Sequence, residues 1–300
     1  MVLERFMDKY IPSIENELKG CLPPETTYPE RLHEAMRYST IGAGKRLRAL
    51  LAIAAAEMVA QDKFPLIESA TYRFAAAAEM LHAYTLIHDD LPCMDDDDFR
   101  RGKPSNHKVF GEGLAVLAGD ALLTETFAVM MQLADMGIPA ATVIALTKEL
   151  AMAAGSRGVI GGQAVDLASE GQTIDHEILE YIHTHKTGAL FKAVLRGGAL
   201  LAGASSHEIE AVTEYAECFG LCFQITDDIL DVVGDESKLG KRVGSDSGSD
   251  KATYVSLYGL ERARELAEET MEKAKAAIDA FAPTNRVLCE LAEYVVGRDH

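Results

Sequence analysis

Six aspartates fall within ten residues of the segment Leu86–Asp98, which reads LIHDDLPCMDDDD. A second acidic group, Asp227, Asp228 and Asp231, follows far downstream, and each group comes at the end of a long apolar segment. Closely spaced carboxylates repel one another unless a cation lies between them. Because Mg²⁺ in proteins usually takes one or two carboxylates together with phosphate oxygens, the two groups point to metal-assisted binding of a phosphorylated substrate.

The spacing of the aspartates predicts where the chain must turn. Asp227 and Asp231 are four residues apart, so on a helix their side chains share one face. Asp89 and Asp95 are six residues apart and would diverge on an unbroken helix. Pro92 cannot continue the helical hydrogen bonds, so we expect the helix to end near it and the chain to turn back, bringing Asp89 and Asp95 together.

Parts of the first acidic segment allow other interpretations. Residues 96–98 fit either the metal site or a solvated acidic surface. An EF-hand is excluded because, counted from Asp95, the sixth residue is Arg100 instead of glycine and the twelfth is Asn106 instead of glutamate. The pair His88-Asp89 is also similar to the His-Asp pair of the all-helical HD phosphohydrolases, which remain the second candidate class.

Basic residues accompany the acidic groups at two places. Arg100 and Arg101 directly follow the first acidic segment, and adjacent arginines can each form a bidentate pair with phosphate. The segment GKRLR, residues 44–48, opens a predicted helix, where backbone N–H groups also favour anions. A diphosphate with a bound metal needs carboxylates that bind the metal and guanidinium groups that bind the remaining diphosphate oxygens. The sequence supplies both.

The elements that must position these residues are helices. Apolar residues recur at helical spacing, Ala, Leu, Glu and Met dominate, and no strand-like alternation continues for long. We therefore predict an all-α, single-domain protein over residues 1–300 without a sheet. The predicted helices are 2–19, 29–40, 45–60, 66–91, 114–136, 140–154, 157–169, 174–185, 188–201, 206–232, 257–280 and 286–296.

The composition narrows the partners and the cellular setting. Forty-seven acidic and 29 basic residues give a net charge of −18, which argues against nucleic acid as a partner. Five cysteines, an odd number without a CxxC pair, favour a reducing, cytoplasmic setting. The sequence has no signal-peptide core and no uncharged run of the ~18 residues that a membrane span needs, so we predict a soluble protein.

Five segments, in family order, are similar to the trans-isoprenyl diphosphate synthases. They are GKRLR (44–48), LIHDDLPCMDDDDFRRGKP (86–104), GGQAVDL (161–167), HKTGAL (185–190) and DDILD (227–231), and the likeness extends from about residue 40 to about residue 260. The resemblance implies a helical bundle around a deep central cavity, with the aspartate motifs on opposite walls of its mouth. It also implies a homodimer and three bound Mg²⁺ ions.

The resemblance assigns roles by motif position. The predicted Mg²⁺ ligands are Asp89, Asp90, Asp95, Asp227, Asp228 and Asp231. The residues expected to bind an allylic prenyl diphosphate are Arg100, Lys186, Thr187, Gln224, Lys241 and Lys251. Those expected to bind isopentenyl diphosphate are Gly44, Lys45, Arg48, His82 and Arg101. Catalytic roles are expected for Lys186, Gln163 and Asp166.

The length of the product is expected to be set beside helix 66–91. Tyr84 and Thr85 lie five and four residues before Asp89, so Tyr84 is about 7.5 Å deeper along the helix. A tyrosine here resembles the floor of a farnesyl-forming enzyme, whereas a small residue would let the chain reach C20. We predict farnesyl diphosphate as product and geranylgeranyl diphosphate second; ordinary core packing is the other interpretation of Tyr84.

The polar segment 234–250 is a predicted lid.

Three alternative functions remain open from the sequence. An HD phosphohydrolase would leave DDILD, FRRGKP and HKTGAL unexplained. A class I terpene cyclase would usually carry an Asn/Ser/Glu metal triad in place of a second aspartate motif. A non-catalytic subunit of a heteromeric synthase typically loses one aspartate motif, and both are intact in this sequence.

Overall fold

The apolar spacing of the first predicted helix matches the burial of its side chains. In this computed structural model, which describes residues 2–42, 44–172, 174–233 and 253–298, helix α1 spans Val2–Cys21. The buried residues of α1 are those whose spacing predicted it: Leu3, Phe6, Tyr10, Ile14 and Leu18. The prediction of an all-α fold is confirmed along the described chain.

The remaining helices follow the predicted order. They are α2 (Glu30–Thr40), α3 (Leu47–Ala60), α4 (Glu68–Asp89), α5 (Asn106–Phe110), α6 (Glu112–Met131), α7 (Ala140–Ala154), α8 (Val159–Ser169), α9 (His176–Ile182), α10 (Ala189–Leu201), α11 (Ser206–Val233), α12 (Tyr254–Tyr258), α13 (Leu260–Ala277) and α14 (Arg286–Gly297). Short 3₁₀ helices cover Gln61–Leu66 and Asp279–Phe281, and a π-helical turn covers His183–Gly188.

Helices α3, α4 and α10 form the centre of the bundle. Helix α4 packs against α3 and α6, α10 packs against α3, α7 and α11, and α11 packs against α13. Two glycines allow the close approach of α10: a Cβ at Gly197 would collide with the Phe74 ring of α4, and one at Gly198 with the Ala52 carbonyl of α3. Helices α3 and α4, which both carry predicted site residues, are therefore held against α10 by close packing.

A small hairpin corrects the prediction of a chain without a sheet. Strand β1 (Phe99–Arg100) pairs antiparallel with β2 (Lys103–Pro104). Arg101 and Gly102 form its two-residue loop with φ of 54° and 74°, as a type I′ turn requires. Strands of two residues are too short to show alternation, so the pattern could not reveal them. The hairpin places Arg100 on a strand and Arg101 in the turn.

Two predicted helices are also divided. The segment predicted as one helix, 257–280, begins earlier, at Tyr254, and breaks at Gly259, whose φ of 81° is outside the helical range. The helix predicted over 174–185 ends as α9 at Ile182 and continues as the π-helical turn. Hydrogen bonds in a π-helical turn span one residue more than those in an α-helix. This changes the directions of the side chains within the turn, here those of Lys186 and Thr187.

Candidate active site

The first acidic segment turns back on itself as its spacing predicted. Helix α4 ends at Asp89, Pro92 follows, and the backbone N–H of Asp95 donates to the Asp89 carbonyl at 2.9 Å. A second bond joins the Asp96 N–H to the Leu91 carbonyl at 3.1 Å. The predicted approach of Asp89 and Asp95 is therefore confirmed. We call residues 89–98 the first aspartate turn.

Like charges meet in the first aspartate turn. Burial, together with the neighbouring charges of Asp95 and Asp90, raises the pKa of Asp89 to about 6, although Lys186 and Arg100 act to lower it. The two basic neighbours do not offset burial and repulsion together. A hard divalent cation would relieve this repulsion, and carboxylate oxygens are the donors that Mg²⁺ prefers.

Three other aspartates of this turn contact basic side chains. Asp90 is 3% exposed and accepts hydrogen bonds from Arg100, one of them from Nε at 2.8 Å. Asp97 accepts from Arg100 Nη2 at 2.9 Å, and Asp98 pairs with Lys108 at 2.6 Å. The turn therefore has two sets of carboxylates: Asp89 and Asp95, which the chain reversal brings together, and Asp90, Asp97 and Asp98, which orient Arg100 or bind Lys108.

The second acidic group lies near the end of α11, and we call Asp227, Asp228 and Asp231 the second aspartate turn. Asp227 accepts from Gln224 Nε2 at 3.2 Å and also pairs with Arg298. Asp228, 6% exposed, accepts the N–H of Tyr254 at 2.7 Å, which attaches α12 to α11. Asp231 is 5% exposed.

A metal bridging the two turns needs ligands beyond the protein. Among the described residues, no three His, Cys, Asp or Glu side chains are grouped closely enough to hold an ion by themselves. The oxygen donor set nevertheless fits Mg²⁺, which often completes its shell with water and substrate phosphates. The charge of Lys186 lowers the pKa of Asp89, and the charge of Asp227 raises the pKa of Arg48. Each turn thus lies near a basic residue, Lys186 for the first and Arg48 for the second, while the direct opposition of the two turns stays a prediction.

Lys186 and its neighbours form a connected polar network on the π-helical turn. Lys186 Nζ donates to Asp166 at 2.6 Å, and Thr187 donates to Gln224 Oε1 at 3.0 Å. Gln224 in turn donates to Asp227, so the network reaches the second aspartate turn. Gly162 makes this possible, since a Cβ there would collide with the Lys186 backbone. Five predicted residues on three elements, Lys186, Thr187, Asp166, Gln224 and Asp227, are therefore brought together.

Two further residues surround this network. His183 lies 3.2 Å from Gln224 Oε1 through Nδ1, and burial lowers its pKa to about 4, so it is neutral and donates this proton. Gln163 is 7% exposed, and both polar atoms of its amide are buried without a hydrogen-bond partner among the described residues. An unsatisfied buried amide costs free energy that a bound ligand can recover.

Four of the residues predicted for isopentenyl diphosphate meet beneath the hairpin: Gly44, Arg48, His82 and Arg101, which we call the basic group. Arg48 Nη1 donates to His82 Nε2 at 3.1 Å, and the Arg48 guanidinium lies 4.6 Å from the centre of the Phe191 ring. A Cβ on Gly44 would lie 2.6 Å from Cζ of Arg101, so the absence of a side chain at position 44 makes room for this guanidinium.

Burial governs the charges of the basic group. It lowers the pKa of Arg48 to about 10, where the guanidinium is still charged at neutral pH. It also lowers the pKa of His82 well below its usual value, and the nearby arginines lower it further. His82 is therefore neutral, and because its Nε2 accepts from Arg48, its proton lies on Nδ1.

Some predicted site residues lie away from these groups or outside the residues that the structure describes. Lys45 lies 5.6 Å from the centre of the Tyr294 ring. Lys241, Lys251 and the predicted lid 234–250 lie outside the described residues. Cavities of about 340 Å³, beside Gln61 and His207, and about 30 Å³, beside Arg100, lie among the described residues.

The predicted chain-length residues are buried at the end of α4. Tyr84 is 4% exposed, and its ring lies edge-on to that of His88 with centroids 5.8 Å apart. Its hydroxyl has no hydrogen-bond partner in the described chain, and burial and the Asp89 charge raise its pKa to about 12. Thr85 donates to the His82 carbonyl at 2.8 Å.

The ring of His88 packs against α6. Its Nε2 lies 3.0 Å from the Val116 carbonyl, and because a carbonyl only accepts, this nitrogen carries the proton. Nε2 therefore cannot bind a metal, and only Nδ1 of this ring could do so. A Cβ at Gly119 would collide with the same ring, so the imidazole fits tightly against α6.

The sequence alone missed two contributors, Arg298 and Tyr254. Arg298 pairs with Asp227 and also stacks over Phe223, with Cζ 4.1 Å from the ring centre. Tyr254 caps the second aspartate turn through its backbone N–H. Both are remote in sequence from their partners, and neither lies in a motif that would reveal the contact.

Comparison with known proteins decides the family. The polyprenyl synthetase family model matches residues 29–284. The chain belongs to this family. As a polyprenyl synthetase it is a trans-prenyltransferase, which confirms the resemblance inferred from its motifs.

Individual polyprenyl synthetases are similar over nearly the whole chain. A chloroplastic geranylgeranyl pyrophosphate synthase of Catharanthus roseus is 45% identical over 91% of this chain and 75% of its own length. A dimethylallyltranstransferase of Fischerella ambigua is 42% identical over 97% of this chain and 83% of its own. The crystal structure of an FPP/GFPP synthase from Zymomonas mobilis superposes with a TM-score of 0.86 at 37% identity, covering 98% of this chain and 99% of that one.

Proposed function

We propose that this prenyltransferase condenses isopentenyl diphosphate with dimethylallyl or geranyl diphosphate and releases farnesyl diphosphate. The observation that carries the choice of product is Tyr84, a buried aromatic residue less than two turns before Asp89 on α4. Geranylgeranyl diphosphate is the second candidate, and it is favoured by the name of the Catharanthus roseus relative.

Isopentenyl diphosphate binds at the basic group. Arg48 and Arg101 supply two guanidinium groups, each able to form a bidentate pair with phosphate oxygens. Lys45 adds a third positive charge from the same segment as Arg48. His82, neutral and protonated on Nδ1, donates a hydrogen bond without adding charge.

The allylic diphosphate binds between the two aspartate turns. Arg100, oriented by Asp90 and Asp97, and Lys186, oriented by Asp166, contact its oxygens. Asp89, Asp95 and Asp227 would hold Mg²⁺ here, with Asp90, Asp228 and Asp231 close by. When bound, Mg²⁺ neutralises the diphosphate and so makes it a better leaving group.

The reaction follows from this arrangement of charges. The allylic carbon–oxygen bond breaks, and its electron pair leaves with the diphosphate, which Arg100 and Lys186 stabilise. The double bond of isopentenyl diphosphate supplies the pair for the new carbon–carbon bond. The resulting cation loses a proton to the departed diphosphate, which forms the new double bond and restores neutrality at carbon.

Product length is tested with Tyr84→Ala and the matched control Tyr84→Phe. We expect the wild-type protein, given Mg²⁺, isopentenyl diphosphate and geranyl diphosphate, to form a C15 product, as seen by chromatography after dephosphorylation. Tyr84→Phe keeps the ring and should keep C15, whereas Tyr84→Ala should extend the product to C20. Equal products from all three proteins would exclude Tyr84 as the floor, and release of diphosphate without isopentenyl diphosphate would indicate a cyclase.

We also propose that the protein is a homodimer joined through α6 and α7. Helix α6 is long and apolar enough to cross a bilayer, with a mean hydropathy of 1.6, yet only 39% of that stretch is buried. It carries Asp120 and Glu125 in its middle, which suits a protein interface better than lipid. Apolar side chains such as Leu117, 56% exposed, and Ile144, 67% exposed, extend this face onto α7.

The dimer is tested by light scattering after gel filtration. The wild-type mass should be twice the 32.5 kDa of one chain. Leu117→Glu places a charge in the proposed interface and should give the mass of a single chain. Leu66→Glu is the control, because Leu66 is 84% exposed and belongs to the 3₁₀ helix Gln61–Leu66 instead of α6 or α7. A wild-type protein of 32.5 kDa would contradict the proposal.

A further inference from the structure

Arg46 stands in the middle of GKRLR, yet its side chain does not join the basic group. Only 2% of it is exposed, and it lies between two carboxylates. Its Nη1 donates to Glu79 at 3.1 Å, and its Nε donates to Glu15 at 2.7 Å. Glu79 is itself 3% exposed and belongs to α4, whereas Glu15 belongs to α1.

These charges hold the backbone on both sides of Gly44 and Lys45. Arg46 Nη2 donates to the Thr40 carbonyl at 2.7 Å, and the Gly42 N–H donates to Glu15 at 3.1 Å. On the other side, the Ala49 N–H at the start of α3 donates to Glu79 Oε1 at 3.2 Å. One guanidinium and two carboxylates therefore fix the segment before and after the predicted diphosphate ligands.

The backbone of Arg46 needs this support. Its φ is 55°, in the left-handed region that costs an ordinary side chain free energy. Arg46 is also the first residue flanking α3, and no side chain of its own caps the helix. The Glu79 carboxylate supplies an acceptor from another helix to one of the N–H groups that the helix start leaves unpaired.

Glu79 is also coupled to the basic group directly. It precedes His82 by three residues on α4, so both project from neighbouring positions of one rigid helix. Its negative charge raises the pKa of both Arg48 and Arg101, against the lowering effect of burial. Glu79 thus lies close enough to support the positive charge that a diphosphate needs, without being a ligand of an anion itself.

We propose that Glu79 is a positioning residue of the isopentenyl diphosphate site. Acting through Arg46 and the Ala49 N–H, it fixes the segment that carries Gly44, Lys45 and Arg48. This inference rests on the proposed function, because it assumes that isopentenyl diphosphate binds at the basic group. Glu79 does not touch the substrate, and its effect reaches the substrate through the geometry of that segment.

The principal test is Glu79→Gln, which keeps the shape of the side chain and an acceptor for Ala49 but removes the charge that faces Arg46. Removing one partner of a buried ion pair leaves the other charge poorly compensated. Since a shift of about 1 Å in a binding group can cost about 100-fold, we expect the KM for isopentenyl diphosphate to rise roughly tenfold. The KM for the allylic diphosphate should change less than about threefold, because Arg100 and Lys186 lie on other elements.

A matched control separates this role from stability. Glu149 on α7 accepts two hydrogen bonds from Arg196 of α10, at 3.0 and 2.8 Å, so Glu149→Gln also removes a carboxylate from an arginine. It should lower the unfolding temperature while leaving both KM values unchanged. Glu79→Asp, which keeps the charge but shortens the side chain, should recover part of the affinity lost in Glu79→Gln.

The outcomes distinguish this inference from the proposed function. Isopentenyl diphosphate is titrated into each protein by calorimetry alongside the kinetics. If the wild-type protein does not bind it, the proposed function and this inference both fail. If the wild type binds it and Glu79→Gln binds equally well, or if both KM values rise in parallel, only the inference is overturned. Should Glu79→Gln not fold, the KM values of Glu79→Asp decide in the same way.

Discussion

The basic group and the first aspartate turn both involve α4, yet they balance their charges in opposite ways. Around Arg48 and His82 the protein supplies part of its own compensation: the histidine stays neutral and accepts a hydrogen bond from the guanidinium, and the charge of Glu79 raises the pKa of Arg48 against the effect of burial. At Asp89 the neighbouring carboxylates add to the cost of burial, and its pKa rises to about 6. Two turns of α4 thus separate His82, whose site compensates part of its charge, from Asp89, whose site gathers negative charge.

The difference indicates which ligand each site requires. A basic group that is already ordered and charged is preorganised for an anion and gains affinity without rearrangement. The first aspartate turn gathers negative charge that is relieved only when cations enter. We therefore expect one diphosphate to bind by itself and the other to bind together with metal.

The largest effect is expected from Asp89→Asn in the first aspartate turn. If Asp89 holds Mg²⁺ as proposed, the loss of its carboxylate should lower kcat on the order of 10³-fold, because in the proposed reaction electrostatic stabilisation of the leaving diphosphate lowers the barrier. Steady-state kinetics with geranyl diphosphate measures this.

Asp98→Asn is the control from the same acidic run. Asp98 is largely exposed and pairs with Lys108, and exposed ion pairs contribute little to stability, so the activity of this variant should stay within about threefold of wild type. Similar losses in both variants would contradict the division of the turn into these two sets of carboxylates.

A smaller effect is expected when Mg²⁺ is removed with EDTA. Calorimetry should show that isopentenyl diphosphate binds with nearly unchanged affinity, because guanidinium groups supply the charge. A non-reacting thiolo analogue of geranyl diphosphate should lose about 100-fold, a scale consistent with the loss of several charge-assisted contacts at ~1.4 kcal/mol per tenfold. Equal losses for both ligands would show that the two sites share one metal requirement.

The smallest effect concerns the buried neutral histidine of the basic group. The pKa of His82 is lower in the folded protein than in the unfolded chain. Below pH 6.5 the unfolded state therefore binds more protons, and stability falls as the pH falls, by at most about 1.4 kcal/mol per pH unit for this group. Urea unfolding between pH 5 and 7.5 should show a shallower acid-side loss in His82→Gln than in wild type.

Two histidines refine the pH measurement. His183, whose pKa is lowered to about 4 by burial, should leave a residual slope of the same sign in His82→Gln. His207 lies on the surface, so His207→Gln controls for the loss of a histidine as such. A steeper acid-side loss in His82→Gln would show that His82 is charged in the folded protein.

Much of the fold followed from sequence because helices repeat their apolar pattern over many turns. The segments that became α1, α4 and α11 show this pattern over at least five turns, and their ends were placed within three residues. The same holds for the reversal after Asp89, since proline stops a helix by its covalent structure. Features that depend only on residues close in sequence could therefore be predicted from the sequence.

The remaining features depend on contacts between distant residues. GKRLR contains three basic residues, and only the burial of Glu79, 33 residues after Arg46, distinguishes Arg46 as internal. The Arg298–Asp227 pair joins residues 71 apart. The hairpin at Phe99–Pro104 consists of two-residue strands, and its turn places Arg101 in a conformation that a glycine would more readily adopt.

At Tyr84 a substitution can change the size of a side chain without changing the groups proposed to react. Its hydroxyl has no hydrogen-bond partner among the described residues, so replacing it leaves no buried polar group without a partner. The charged residues are interdependent, since Arg100 is held by two carboxylates and Lys186 by a third. If Tyr84 limits the product as proposed, mutations at position 84 would alter the space for the hydrocarbon while the reacting groups stay in place, so the product could change without loss of catalysis.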